Sequence, residues 1–153
     1  MKNIFTRLAS TESKIAPLIL RITYALVLWP HGAQMLLGWF GGYGFSGTMS
    51  YFTGEGGLPL VIAFLVILLE FFGSLFILFG FFTRLTAVAC IILFIGMILT
   101  VHEQFGFFMN WYGNMKGEGF EYHLFGMGIL LSLVISGAGK ASVDALIARS
   151  KNK

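Results

Sequence analysis

The chain has 153 residues, of which 57% are hydrophobic and only 11% charged, whereas a soluble domain carries about 25% charge. That balance excludes an ordinary soluble domain and predicts an integral membrane protein whose spans leave no room for a separate soluble unit. The formal charge of +3 comes from basic residues flanking the apolar runs, so it bears on membrane orientation and gives no reason to invoke nucleic acid.

The predicted fold is all-α: a single transmembrane domain over residues 1–153, built as a four-helix bundle with a short C-terminal interfacial helix. Helices are expected over about 15–37, 58–82, 85–101 and 122–139, each near the ~20 residues that cross ~30 Å of hydrocarbon, the third at the short end. Lys2, Arg7 and Lys14 precede the first run, but it is too long for a signal h-region. Arg21 interrupts it and no small-x-small cleavage site follows, so it reads as a retained helix. At ~100° per residue, Arg21, Tyr24, Leu28, His31 and Met35 share a stripe that should face protein. Pro30 removes one backbone hydrogen bond and predicts a kink beside His31.

Between the first two helices, residues 38–57 hold eight glycines interleaved with Trp39, Phe40, Tyr43, Phe45, Tyr51 and Phe52, and Thr48 to Thr53 is expected to form a short interfacial helix. On the second helix Ala63, Glu70, Gly73, Ser74 and Gly80 share a face, and small residues there let another backbone come close. The third groups Thr86, Cys90, Leu93, Met97 and Thr100. Cys90 is the only cysteine, which rules out an intrachain disulfide or dithiol and reads as a small packing residue. The following segment carries Phe105, Phe107, Phe108, Trp111 and Tyr112. Such aromatics anchor a chain at the headgroups; the sharper alternative is a lid over an apolar ligand. On the fourth helix Glu121 aligns with Gly128, Ser132 and Gly139 and is expected to point inward, with His123 about 200° away. Past it, Gly137, Gly139, Ser142 and Asp144 lack the preceding strand of a dinucleotide fingerprint. They read instead as a helix stop at Gly139, an N-cap at Ser142 and a first-turn acid at Asp144.

Lys2, Arg7, Lys14, Arg84, Lys140, Arg149, Lys151 and Lys153 fall on one side if four helices alternate, with Lys116 alone on the other. The protein is therefore expected to be multi-pass in the inner (plasma) membrane with both termini cytoplasmic. Within the membrane, Arg21 lies about 8 Å and Glu70 about 18 Å from the inner ends of their helices, a gap an arginine side chain can cover, so the two are expected to form a structural ion pair.

The outer third collects His31, Gln34, His102, Glu103, Glu121 and His123. His31 and Glu121 are the candidate catalytic acid–base pair. Together with Gln34 and Met35 they are expected to line a site between the first and fourth helices for a quinone headgroup, whose reduction moves protons. The plainer alternative is a set of boundary residues satisfied by water and loop carbonyls. No HExxH and no facing histidine pair at matched depth can be read, so no metal site or bis-histidine haem is expected.

Arg21, His31-Gly32 with Gly38, Gly57 with Pro59, Glu70 with Gly73, Gly80 with Thr83-Arg84, and Gly137, Gly139, Ser142 and Asp144 together resemble the DoxX family of small four-helix membrane proteins, from about Ile15 to Asp144. The resemblance implies a subunit of a quinone-linked redox or oxidative-stress complex, with partner membrane or soluble redox subunits. Many members carry lysine where this chain has Met35. A non-catalytic membrane scaffold or accessory partner is the alternative, and a homo-oligomer is compatible with either. A transporter is disfavoured, because four spans show no inverted repeat or broken helix pair.

Overall fold

The computed structural model describes residue 11 and residues 14–150; the flanking residues Lys2, Arg7, Lys151 and Lys153 lie outside them. Six helices follow in order: α1 (Ala16–Leu37), α2 (Gly44–Thr53), α3 (Leu60–Phe79), α4 (Thr83–Phe105), α5 (Glu121–Ser136) and α6 (Val143–Ser150). There is no strand among the described residues. α3 and α4, with 20 and 23 residues, are long and apolar enough to cross a membrane, and α5 is a shorter apolar helix. This is an all-helical membrane protein.

α1, α3, α4 and α5 pack around a core of Tyr24, Leu28, Ile77, Ala87, Cys90, Phe94, Leu130 and Leu133, while Leu26, Ile92, Phe125 and Ile135 point outward. Large apolar side chains outside and small ones between helices is the arrangement lipid permits, because close backbone approach supplies the packing that the hydrophobic effect does not. Gly32 is the tightest case. A Cβ there would lie 2.6 Å from the backbone of Glu70 and Phe71, so α1 and α3 cross backbone on backbone. Likewise a Cβ at Gly126 of α5 would overlap the Phe94 ring of α4.

Local sequence sets the helix ends. α1 starts with Pro17 in its first turn and stops at Gly38, whose φ of 73° closes the helix in the left-handed region. It runs unbroken through Pro30. α3 and α4 each contain a π turn, at Leu69–Gly73 and Ile98–His102. The second of these carries α4 on to Phe105, beyond the expected end at 101. α2 begins at Gly44, earlier than expected.

The face assigned to the fourth helix is corrected. Its buried residues are His123, Gly126, Leu130 and Leu133, and Glu121, Gly128 and Ser132 occupy the opposite side. The register is fixed by the Phe94 ring, which needs the glycine at 126 to enter. The helix also ends at Ser136 with Gly137, at φ 76°, as the stop, three residues before the expected boundary.

The end of the bundle nearest the termini is closed by one buried clasp. Arg21 of α1, 0% exposed, donates from Nη1 to the Leu78 carbonyl at 2.7 Å and from Nη2 to the carbonyls of Lys140 and Ala141 at 2.8 and 3.0 Å. Asp144 of α6 accepts from the Phe82 and Thr83 amides, both at 2.9 Å, capping α4. The Asp144 amide in turn donates to the Gly80 carbonyl. Ser142 caps α6 through the Ala145 amide as expected. Gly80 has a φ of +64°, and a Cβ on it would press on Arg21 Nη1 and the Ser142 side chain, so only glycine fits there. The expected Arg21–Glu70 ion pair does not form. Arg21 is level with Leu78, eight residues from Glu70 along α3, which is about 12 Å of helix, and the carbonyls exposed at the helix end are nearer.

Candidate functional site

A cavity of about 830 Å³ opens between α1 and α5 beneath the loop that joins α4 to α5. Val27, Leu28, Leu124, Phe125 and Ile129 give it apolar walls, Phe107, Met109 and Trp111 roof it, and Tyr24, Glu121 and Tyr122 complete its lining. The cavity lies between the first and fourth of the expected helices, with Glu121 in its wall. His31, Gln34 and Met35 are not among its lining residues. His31 is exposed, because the close crossing at Gly32 turns α1 so that the position before it falls at the edge of the buried stripe. Gln34 donates to the Phe40 carbonyl. Met35 lines a second, apolar cavity of about 610 Å³ between α3 and α4.

Glu121 holds the roof in place. Its Oε1 accepts from the Met109 amide and from Trp111 Nε1, both at 2.9 Å. Backbone bonds from Gly119, Phe120 and Glu121 to the carbonyls of Phe108, Gly106 and Phe107 join the two ends of the loop. The Asn110 amide donates to Glu118, and the Asn110 side chain pairs with the Met115 backbone. The aromatic segment is therefore an ordered cap over the cavity.

Sequence reasoning did not bring together His102 and His123, whose rings lie against each other with centroids 4.2 Å apart and planes tilted by 45°. His102 Nδ1 lies 2.8 Å from the Glu118 carbonyl, which can only accept, so that nitrogen carries hydrogen. His123 is buried against Phe94 and Tyr122, and its Nδ1 has no partner. The π turn of α4 is what rotates His102 onto α5, and hydrophobic periodicity gives no sign of it. No group of three metal-ligating side chains occurs among the described residues.

Behind the cavity wall lies a buried polar group with one member from each long helix. Its members are Tyr24 of α1 and Cys90 of α4, both in the core cluster, Tyr122 of α5, packed against that cluster, and Glu70 in the π turn of α3. Glu70 is 3% exposed and its Oε2 has no hydrogen-bond partner; neither has the buried Tyr122 hydroxyl. Tyr24 was visible in the inward stripe of α1, but nothing in the sequence placed Tyr122 in this group.

The DoxX family profile matches residues 16–103, more than half of the chain. The chain belongs to the DoxX family. The matched region holds Arg21, Glu70, Cys90 and the first three long helices, while the DoxX match stops short of Glu121, Tyr122 and most of the cap. This DoxX protein is 39% identical over 110 residues to the inner membrane protein YqjF of Escherichia coli (strain K12), covering 72% of this chain and 79% of that one. It is 28% identical over 138 residues to a Bacillus subtilis (strain 168) protein named "Putative oxidoreductase CatD", covering 90% and 91%. No solved structure matches it significantly.

Proposed function

We propose that this DoxX protein is a multi-pass subunit of a quinone-linked membrane redox system that holds a quinone ring in the cavity between α1 and α5. In this reading α1, α3, α4 and α5 cross the inner membrane and both termini face the cytoplasm. The observation that carries it is the cavity itself. Its volume of about 830 Å³ suits a small organic ligand, and such sites pair apolar walls with a few convergent polar groups. Its outer surface is lipid-facing, so a lipid-soluble ring reaches it without crossing water. Cys90, the sole cysteine, cannot cycle as a dithiol, so electrons pass to or from the ring by way of a partner subunit. The name of the Bacillus subtilis relative agrees with redox chemistry. Of the pair expected at the site, Glu121 stands at the cavity mouth; His31 lies outside it and takes no part in this reading.

The test is extraction of quinones from the purified protein, followed by quenching of Trp111 fluorescence by added quinone in a Trp29→Phe, Trp39→Phe background. Bound quinone and saturable quenching are expected, with both lost when Val27→Phe fills the cavity. Absence of both in the unfilled protein refutes the proposal and favours a non-catalytic scaffold. One observation speaks for that second reading: Arg21, Gly80, Ser142 and Asp144, which carry much of the family resemblance, all belong to the clasp at the other end of the bundle.

A further inference from the structure

The second cavity is a cleft of about 610 Å³ between α3 and α4, and it shares no lining residue with the cavity between α1 and α5. It exists because the two helices touch near their common turn and at the π turn of α3, whereas the first half of α3 has little contact with α4. Along α4 its lining runs from Ala89 to His102, about 20 Å of helix. Volume over length gives a mean cross-section of about 30 Å². An α-helix with its side chains is about 10–12 Å across, on the order of 80 Å² in section, so neither a partner's helix nor one from a second copy fits. A single alkyl chain does. The rim residues Ile62, Leu65 and Ile92 are exposed, and a Cβ on Gly96, midway along, would meet nothing within 4 Å. One end of this apolar cleft is polar. His102 lines it, and the ring is held twice, by the Nδ1 bond of 2.8 Å to the Glu118 carbonyl and by the His123 ring. With hydrogen on Nδ1, the neutral ring carries its lone pair on Nε2, which makes no hydrogen bond to a described residue. The neighbouring Thr100 hydroxyl has already donated to the Gly96 carbonyl. The two offer acceptors.

We propose that the cleft between α3 and α4 binds a single-chain lipid ending in a hydroxyl, with its alkyl chain along α4 and its hydroxyl donating to His102 Nε2. A two-chain phospholipid matches neither the width nor the polarity, because its phosphate oxygens only accept. An undissociated fatty acid offers the same O–H as an alcohol but loses it on ionisation, which separates the two. The quinone reading concerns the other cavity and stands or falls separately.

The test places the full chain in lipid nanodiscs with a long-chain alcohol that carries a photoreactive diazirine in mid-chain, and maps the cross-links by mass spectrometry. Cross-links are expected on the lining residues of α3 and α4 and should be lost in Gly96→Phe, whose ring fills the open space. Unlabelled hexadecanol is expected to displace the probe about tenfold better than hexadecyl methyl ether, the equivalent of one hydrogen bond. That preference should vanish in His102→Phe, which keeps a ring against His123. Hexadecanoic acid should compete at neutral pH and fail in alkali, where hexadecanol still competes. Cross-links spread evenly over lipid-facing residues, Phe125 and Ile135 of α5 included, overturn the proposal, because annular lipid alone produces them. No preference for alcohol over ether in the unsubstituted protein overturns it too, as does a preference unchanged in His102→Phe. An ionised acid that competes as well as the alcohol overturns the acceptor role of His102, since a carboxylate cannot donate. Should His102→Phe fail to fold, the alcohol–ether comparison and Gly96→Phe still decide.

Discussion

Replacing Arg21 by leucine is expected to be far more damaging than replacing Glu70 by leucine, although both are buried ionisable residues of the same bundle. Arg21 makes three hydrogen bonds of 2.7, 2.8 and 3.0 Å to carbonyls from two separate parts of the chain, and it attracts the buried Asp144. Charge-assisted bonds are worth about 1.5–3 kcal/mol each before desolvation is set against them. Removing one member of a buried charged arrangement costs about 3–5 kcal/mol, because the other is left uncompensated. Arg21→Leu strands three carbonyls and removes the positive charge near Asp144, which the Phe82 and Thr83 amides still hold, so a loss of about 4 kcal/mol is expected. Glu70 Oε2 makes no hydrogen bond, and Glu70 can take up a proton where arginine cannot, so Glu70→Leu should cost about 1 kcal/mol or less. Equilibrium unfolding in mixed detergent micelles reads both. A loss for Glu70→Leu equal to that for Arg21→Leu would refute the reasoning.

Gly32→Val drives a side chain into the Glu70 and Phe71 backbone and should destabilise by about 1–3 kcal/mol or more in the same assay; a neutral result would mean that α1 and α3 do not cross there. Glu121→Ala removes the acceptor of two cap bonds; the Met109 amide should then exchange hydrogen faster, with global stability lowered by only about 1–2 kcal/mol, and unchanged exchange would show the cap to be held by its backbone alone. In a Cys90→Ala background, Asn114→Cys should react with an impermeant thiol reagent in intact cells while Asn3→Cys and Asn152→Cys are protected; the reverse pattern would invert the proposed topology.

The long apolar runs made the helices legible, and the small residues at 63, 73, 74 and 80 correctly marked the buried face of α3. Periodicity failed where the helix was not ideal or where a single contact chose the register. The π turns advance α3 and α4 by an extra residue, so His102 reaches His123 although a regular wheel gives no such pairing. On α5 the glycine that mattered was Gly126, selected by the ring of Phe94; Gly128, Ser132 and Glu121 looked equally inviting on paper and face the other way. Arg21 and Glu70 were read as partners because opposite charges in hydrocarbon attract attention. Arg21 instead donates from Nη1 and Nη2 to carbonyls, which no charge pattern records. A cavity lies between α1 and α5, but His31, Gln34 and Met35 are not in its lining, because depth along a helix says nothing of the turn that the crossing at Gly32 imposes on α1.

The clasp joins residues about 120 positions apart, since Arg21 is bonded to Lys140 and Ala141. In the topology proposed above, the guanidinium of α1 enters the bilayer during synthesis long before its acceptors exist, and the first turn of α4 waits uncapped for Asp144. Until the segment after α5 emerges, the nascent chain carries an unsatisfied cation in hydrocarbon, which favours hesitation at the translocon and recognition by membrane proteases. Sealing this bundle is thus a late event, and a chain interrupted before residue 140 would be marked for removal by its own arginine.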